Sequence, residues 1–443
     1  MIFIRVLVLM FFLVGFAASA MAQATHASYR LSLQDSLQRA DELNLQVMMA
    51  SARLEEAIAR ISQAQSDLLP HIDGTLNGGR ETSDLRAEGL QIPIPGFSTH
   101  VGPYNTFDAR ARVTVAIFDP SAFERFKAAR KGENLSRAEL EKTREDVLAL
   151  VATLFVDAER KQETANLLKT LLDRDQMAYE LSNYGYSEGT GTLLDSNKSK
   201  TDLDQTKYLY IQAKLQAEDA RLDLVAALQL PTNMPLVFVD DVDFIKTLQK
   251  MAAINSNQAS NADMVLASST LEARQADQKS AYADFLPKVS GSADYGRSGE
   301  SPQHGSNTYF VGLQASVPIW DGGAQQAQLK EVKGQIKEAK ENLQDTTEQA
   351  QVNIAKARAA IVEANDLKEA KAQKRLTSQR SLRIAVHSQV MGNGTVFEVM
   401  QAKADLAMAE DEYNEAQSTW MMAHIDLLHA QGQLRQLVKQ QGE

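Results

Sequence analysis

The feature that most limits how this chain can fold is that it is written twice. Asn44-Leu45 is matched by Asn261-Ala262, Ala50-Ser51 by Ala267-Ser268, Glu55 by Glu272 and Leu69-Pro70 by Leu286-Pro287, all at an offset of 217. Ile117-Phe118-Asp119 is matched by Ile319-Trp320-Asp321 at an offset of 202. The stretch EGTGTLLD, from Glu188, is matched by MGNGTVFE, from Met391, at 203. The first copy therefore carries about fifteen extra residues ahead of Phe118, in the Pro/Gly-rich stretch Gln91 to Pro103, which reads as a loop. Each copy is far longer than a solenoid unit, so the repeat is a duplicated domain. The expected division is a signal segment at 1–22, a first repeat at 23–230, a linker at 231–250 and a second repeat at 251–443.

The N-terminus sets the compartment. A short basic region (Met1 to Arg5), an apolar run (Val6 to Phe16) and Ala20-Met21-Ala22 follow the pattern of a cleavable signal peptide. The apolar run is too short to span a bilayer, which takes about 20 residues. The sequence contains no cysteine, which excludes a lipid anchor after the cleavage site, disulfides and thiolate metal sites. A net charge of −11 argues against a nucleic-acid partner, which would want a basic footprint.

Within each copy the hydrophobic period changes twice. Helical spacing runs from about Leu33 to Leu69, and Pro70 ends it. Strict alternation follows. Phe107, Ala109, Ala111, Val113, Val115 and Ile117 share one face, and Asp108, Arg110, Arg112 and Thr114 share the other. Tyr309, Val311, Leu313, Ala315, Val317 and Ile319 repeat the apolar face in the second copy, opposite Gln314 and Ser316. The segments after the prolines alternate too, with Ile72, Gly74 and Leu76 opposite Asp73, and Val289, Gly291, Ala293 and Tyr295 opposite Asp294. Each copy thus predicts a hairpin of two strands of about ten residues.

A very long helical signal comes next. Leu329, Ile336, Leu343, Ala350, Ala357 and Ala364 fall seven apart, a heptad seam of mostly small residues on which helices approach closely. The expected helix runs from Gln325 to about Ser388, then turns at the glycines into another that ends near Leu434; its first-copy counterpart ends near Leu230.

Strands of about ten residues with one apolar face match the lengths of transmembrane β-strands. Arg110 and Arg112 on the opposite face would be costly to bury unpaired in a soluble core. Trp320 and Phe118 at the helix end, with Tyr104, Phe107 and Tyr309 at the loop end, resemble two aromatic girdles. Four strands cannot close a barrel, since even the smallest needs about eight. The chain must then oligomerise, and two, three or four copies are all compatible with the pattern.

The order signal peptide, helix, Leu-Pro, hairpin, long helix, glycine turn, long helix, present twice, resembles the TolC-like outer-membrane efflux and secretion channels. The junctions Leu69-Pro70, Leu286-Pro287, Phe118-Asp119 and Trp320-Asp321-Gly322-Gly323 carry the resemblance, with the turns before Asp195 and Glu398. The resemblance implies a mainly α fold with membrane β: a long coiled-coil α-helical barrel, plus four strands per chain in a shared transmembrane β-barrel of twelve strands in a homotrimer. It also implies outer-membrane lipid around the barrel, and docking of a periplasmic adaptor and an inner-membrane transporter at the far tip. Val113, Val115, Ile117, Leu313, Val317 and Ile319 would face the lipid. Two uses compete, drug or small-molecule efflux and one-step polypeptide secretion. The missing lipobox cysteine and the short remainder after the last helix lean toward the secretion type. A periplasmic adaptor with helical hairpins is the rival reading, although an adaptor would have one hairpin and compact β modules.

Glycine-rich turns leading into helices raise the question of a phosphate cradle. The residues answer against it, because Leu193 and Val396 stand where a phosphate loop needs Lys. Gly189 and Gly191, like Gly392 and Gly394, instead let two long helices reverse. Thr192 with Asp195, and Thr395 with Glu398, read as capping boxes. In the resembled family these carboxylates lie at the narrow periplasmic tip, where the second copy has two acidic residues one helical turn apart. Glu398 matches the first, and Gln401 stands at the second. Gly394 occupies the place of an arginine that often holds the closed tip in that family.

No catalytic constellation is expected. The seven histidines show no metal spacing, and neither an H-E-x-x-H nor a G-x-S-x-G motif occurs. Neither a cofactor nor an enzymatic activity is expected.

Overall fold

Proline ends the first long element of each copy, and the chain turns there into a strand. The computed structural model describes residues 29–84, 89, 100–239, 242–253 and 261–439. The signal segment and positions 91–99 of the Pro/Gly-rich stretch lie outside the described residues. In the first copy the elements are β1 (Tyr29–Leu31), α1 (Leu33–Leu43), α2 (Leu45–Ser66), β2 (His71–Asp84), β3 (His100–Phe118), α3 (Pro120–Ser187) and α4 (Leu193–Ala227). The second copy follows the same order: β4 (Leu236–Phe238), α5 (Val242–Ala253), α6 (Ala262–Ala283), β5 (Lys288–Gly299), β6 (Gly305–Ser316), α7 (Ala324–Val390) and α8 (Val396–Ala430), then α9 (Leu434–Lys439). The stretch expected as a linker, 231–250, thus holds a strand and most of a helix. His100 to Pro103, expected in a loop, begin β3.

Two compact units divide the chain. One comprises residues 50–140 and 263–347, the other the segments before, between and after them. The first unit contains a four-stranded antiparallel sheet of order β2-β3-β5-β6. Its outer pairs are the two expected hairpins, and β3 with β5 joins the copies. The strands are 14, 19, 12 and 12 residues long, longer than the ten expected. The apolar alternation marks only part of each strand. Backbone pairing continues into polar flanks such as Gly79–Asp84, because ladder hydrogen bonds do not depend on apolar side chains.

In the other unit β1 pairs in parallel with β4, and Phe155 meets Phe238 edge to face at 5.3 Å. Leu148, Leu224, Phe244, Leu248, Leu428, Leu434 and Leu437 are buried there. The duplication extends to its polar contacts. Asn44 Nδ2 donates to the Ala227 carbonyl at 3.1 Å, and Asn261 Nδ2 to the Ala430 carbonyl at 2.8 Å, each satisfying an orphan carbonyl at a helix end. Glu145 accepts from the Leu434 and Arg435 amides, both at 3.0 Å, which ties α9 to α3. The heptad seam of α7 is buried at Ala350, Ala357 and Ala364 in one unit, while in the other its Leu329, Ile336 and Leu343 are half-buried and the neighbouring Val332 and Ala339 are buried. At 67 residues α7 is roughly 100 Å long at 1.5 Å per residue.

Candidate functional site

Cross-strand register sorts the sheet into two faces, because directly paired residues point the same way. One face carries Ile72 beside Val113 beside Ala293 beside Val311. Gly74, Ala111, Tyr295 and Tyr309 form the next row, and Val115, Gly291 and Leu313 lie on the same side. Ile72, Leu76, Tyr295, Tyr309, Val311 and Leu313 are all exposed, so this face is apolar and bare. Apolar surface of this extent marks a contact face for a membrane or another protein chain. Ile117 lies at a bulge between Ala116 and Phe118, where its Cδ1 stays close to Gly291 on the apolar side. Val317 and Ile319 lie beyond the end of β6, although both remain exposed.

Charge gathers on the opposite face. Asp73 pairs with Arg112, Arg112 with Asp294, and Asp294 with Phe310, making one row across all four strands. The neighbouring arginine is firmly held. Arg110 donates to both oxygens of Asp108 at 2.8 Å and to Asp294 Oδ1 at 3.0 Å. Bidentate pairing of this kind is the strong form of the ion pair. Gly296 makes room for it, since a Cβ there would stand 2.4 Å from the Cβ of Arg110. Arg112 reaches Asp294 Oδ2 only at 3.8 Å, and its side chain is 52% exposed against 23% for Arg110. Alternation identified both arginines, but it did not separate the held one from the loose one. It also passed over Phe310, whose ring lies over Gly312 on this polar face.

The strand-to-helix exits are capped by aspartates. Asp119 Oδ1 accepts from the Ala122 amide at 3.0 Å and from the Ser121 hydroxyl at 2.7 Å, with Pro120 at the first helical position. Burial works to raise the Asp119 carboxyl, but these two hydrogen bonds together with the nearby Lys288 and Arg125 charges hold it below the ordinary range. Asp321 accepts from the Gly323 and Gln325 amides at 3.0 and 2.7 Å. Gly322 and Gly323 there have φ of +76° and +93°, which a side chain would strain. Phe118 and Trp320 are exposed beside these caps. Leu69 and Leu286 are the last helical-turn donors, to Ser66 and Ala283, before Pro70 and Pro287 end the turn.

The two interhelical turns share one geometry. Gly189 donates to the Tyr186 carbonyl and Thr190 to that of Gly185, and Gly392 and Asn393 do the same to Gln389 and Ser388. Both are Schellman ends with the glycine at φ +76° or +77°. Gly191 and Gly394 serve close approach, since a Cβ would meet the preceding helix end at 3.2 and 3.0 Å. The caps differ. Thr395 and Glu398 form a full capping box, with the Glu398 amide donating to Thr395 Oγ1 at 3.1 Å and the Thr395 amide to Glu398 Oε2 at 2.8 Å. At the first turn only half of the expected box forms. Thr192 Oγ1 accepts from the Asp195 amide, but the Asp195 carboxylate accepts from the Thr192 hydroxyl at 2.6 Å instead of from the backbone N–H. Side-chain length is not the reason, since Asp35 closes a full box with Ser32, its carboxylate accepting from the Ser32 amide at 3.3 Å. Asp195 and Gln401 line one polar cleft of about 320 Å³ with Arg174, Asp175 and Asp202, which joins the two copies beside the turns. Gln401 also donates to Asp405 Oδ1 at 2.9 Å. Asp175, buried and bonded to Arg174 and Thr206, carried no sequence signal beyond its type.

Among the described residues no group of His, Cys, Asp and Glu is arranged to hold a metal, and no helix is long and apolar enough to cross a membrane. Against families of known proteins, the model of the outer membrane efflux protein matches residues 36–229 and again 253–433. The chain belongs to the outer membrane efflux protein family. The double match falls on the two copies of the repeat.

Solved outer membrane proteins share the fold over 90% of this chain. The Campylobacter jejuni CmeC outer membrane channel aligns at 19% identity and a TM-score of 0.74, over 85% of its own length. The outer membrane protein VceC of Vibrio cholerae aligns at 18% and 0.70, over 96% of its length. The open state of the Neisseria gonorrhoeae MtrE outer membrane channel aligns at 19% and 0.64, over 88% of its length. The fold is that of TolC-like channels, mainly helical, duplicated, with long tunnel helices and a few strands of an outer-membrane β-barrel.

Proposed function

We propose that this protein is the outer-membrane channel of a tripartite export system, a homotrimer whose three sheets close one twelve-stranded barrel. One observation carries the reading: a four-stranded sheet with a bare apolar face and, among the described residues, two unpaired edges, β2 and β6. In hydrocarbon an unpaired strand edge costs several kcal/mol per backbone group. These strands can therefore cross a membrane only when other copies pair with both edges.

In this reading residues 1–22 direct export, the barrel sits in outer-membrane lipid, and no acyl anchor is attached, since the sequence has no cysteine. The glycine turns lie at the far periplasmic end, where an adaptor and an inner-membrane transporter dock. Asp195, Glu398 and Gln401 stand around that entrance. The protein conducts its cargo passively and changes no bond in it. Small-molecule efflux and one-step polypeptide secretion both fit this channel, and the family description does not separate them. The adaptor reading is set aside on the same family description.

The test is to extract the native protein from the outer membrane in mild detergent, measure its mass, and reconstitute it in planar bilayers. A trimer that forms stable pores is expected. Recovery as a soluble periplasmic monomer would sink the proposal.

A further inference from the structure

The two arginines of the sheet's polar face are two residues apart on one strand, yet they are not equivalent. Arg110 has its charge balanced and its donors used by Asp108 and Asp294. Arg112 makes no hydrogen bond among the described residues. Its nearest ion-pair partner is Asp294, 3.8 Å away and only 7% exposed, while Asp73 lies across the β2 pairing. A guanidinium offers five donors in a planar fork suited to a carboxylate or sulfonate. The anion that faces Arg112 from β5 is buried and already bonded to Arg110, so the accessible end of this pair is the cation.

The same row ends in an aromatic ring. Phe310 pairs with Asp294 and is half exposed on a face that otherwise carries mostly polar and charged side chains. Gly312, two residues on, lets the ring lie down along the strand: a Cβ there would fall 2.5 Å from the ring edge. Arg112 and Phe310 are separated by one strand, hence by roughly 10 Å at about 4.8 Å per strand. That spacing suits a molecule with a flat apolar part and an acidic group at its end.

We propose that Arg112 and Phe310 form a contact rung for solutes that combine an aromatic ring with an acidic group. The inference rests on the channel reading, which makes the polar face the wall of the pore. A charged side chain repeated around a pore sets which ions and solutes linger there. The loose arginine supplies the charge and the fork, the phenyl ring supplies a stacking surface, and Arg110 offsets one of the two carboxylates, Asp108 and Asp294, that it holds.

The experiment uses the full-length oligomer in planar bilayers, with naphthalene-2-sulfonate as the probe. Two quantities are read: the concentration that half-blocks the current, and the reversal potential in a KCl gradient. In Arg112→Gln the half-block concentration should rise about tenfold, the loss expected for a charge-assisted hydrogen bond, and the reversal potential should move toward cation preference. In Phe310→Ser block should weaken about fivefold, the scale of one aromatic contact, with no movement of the reversal potential. Arg112→Lys should recover part of the block, and Gln314→Ala, on the same face but off the row, should change neither reading. Unchanged block in both rung variants of a conducting channel overturns the rung and leaves the channel standing. Block that depends on Arg112 but not Phe310 overturns it too, leaving a plain anion contact. A wild-type protein with no conductance removes the channel reading and the rung together.

Discussion

The two helical hairpins, α3–α4 and α7–α8, are the same element built twice, and they are packed differently. Their helix ends and turns correspond at an offset of 203, so positions can be compared one by one. In the first hairpin Ala165, Ala213 and Ala217 form a buried cluster with Leu168 against it. The second hairpin keeps Ala416 but has Lys368 and Trp420 at the other two places. There the buried indole donates to Asn365 Oδ1 at 2.8 Å, Lys368 Nζ lies 4.1 Å from its ring centre, and the His424 ring packs 4.1 Å away. Burial holds both Lys368 and His424 below their ordinary pKa values. One copy thus seals its helix pair with small side chains and the other with a large aromatic and its polar companions. A duplicated backbone tolerates both, because helix spacing follows the side chains at the contact.

Removing the indole should break the second hairpin without touching the first. Trp420→Ala deletes a core aromatic and leaves Asn365 and Lys368 without their partner, and is expected to cost about 3–5 kcal/mol. Calorimetry on the detergent-solubilised protein should record a large fall in melting temperature. A small change would mean that the two hairpins are packed alike after all.

The hairpin ends differ by a smaller amount. Both finish in a Schellman turn, but Gly432 in the second copy corresponds to Gln229 in the first, which is held at φ +55°. A side chain in that region costs roughly 1–2 kcal/mol. Arg39 steadies the turn by donating to the carbonyls of Leu228 at 2.7 Å and Gln229 at 3.3 Å. Gln229→Gly should therefore stabilise the protein by up to about 1 kcal/mol, after the unfolded chain's gain in freedom is counted. Gly432→Gln should destabilise it by a similar amount, and the pair of melting curves sharpens the comparison directly.

Smallest of all is the difference between the two caps. Glu398→Ala removes an acceptor from the Thr395 amide, whereas Asp195→Ala removes only a partner of a hydroxyl, so the first should cost a few tenths of a kcal/mol more. If the carboxylates also line the entrance, Glu398→Ala should weaken current block by multivalent cations in planar bilayers. Unaltered block would leave Glu398 a helix cap and nothing else.

Local punctuation makes much of this architecture legible in the sequence. Pro70 and Pro287 stop helices wherever they occur, Asp119-Pro120 starts one, and the glycines at 189 and 392 take a backbone angle that other residues avoid. The alternation in β3 and β6 and the small-residue seam of α7 are likewise short-range patterns, read from neighbours along the chain. The half-formed box at Asp195 is not legible there, because Asp35 and Asp195 both stand three residues after their cap and only Asp35 closes its box.

The sequence by itself determined that the chain is duplicated, where its long helices begin and end, and that its strands have one apolar face. Only the tertiary structure decided that β3 of one copy pairs with β5 of the other, aligning Arg112 with Asp294 across more than 180 positions of sequence. It alone found β4 and most of α5 in the expected linker, and it alone set Phe310 in one row with Asp294 and Arg112. The physical reason is the range of the forces involved. Helix ends and alternation are set by contacts a few residues apart, whereas register between distant strands is chosen by whole faces meeting at once, which no short stretch records.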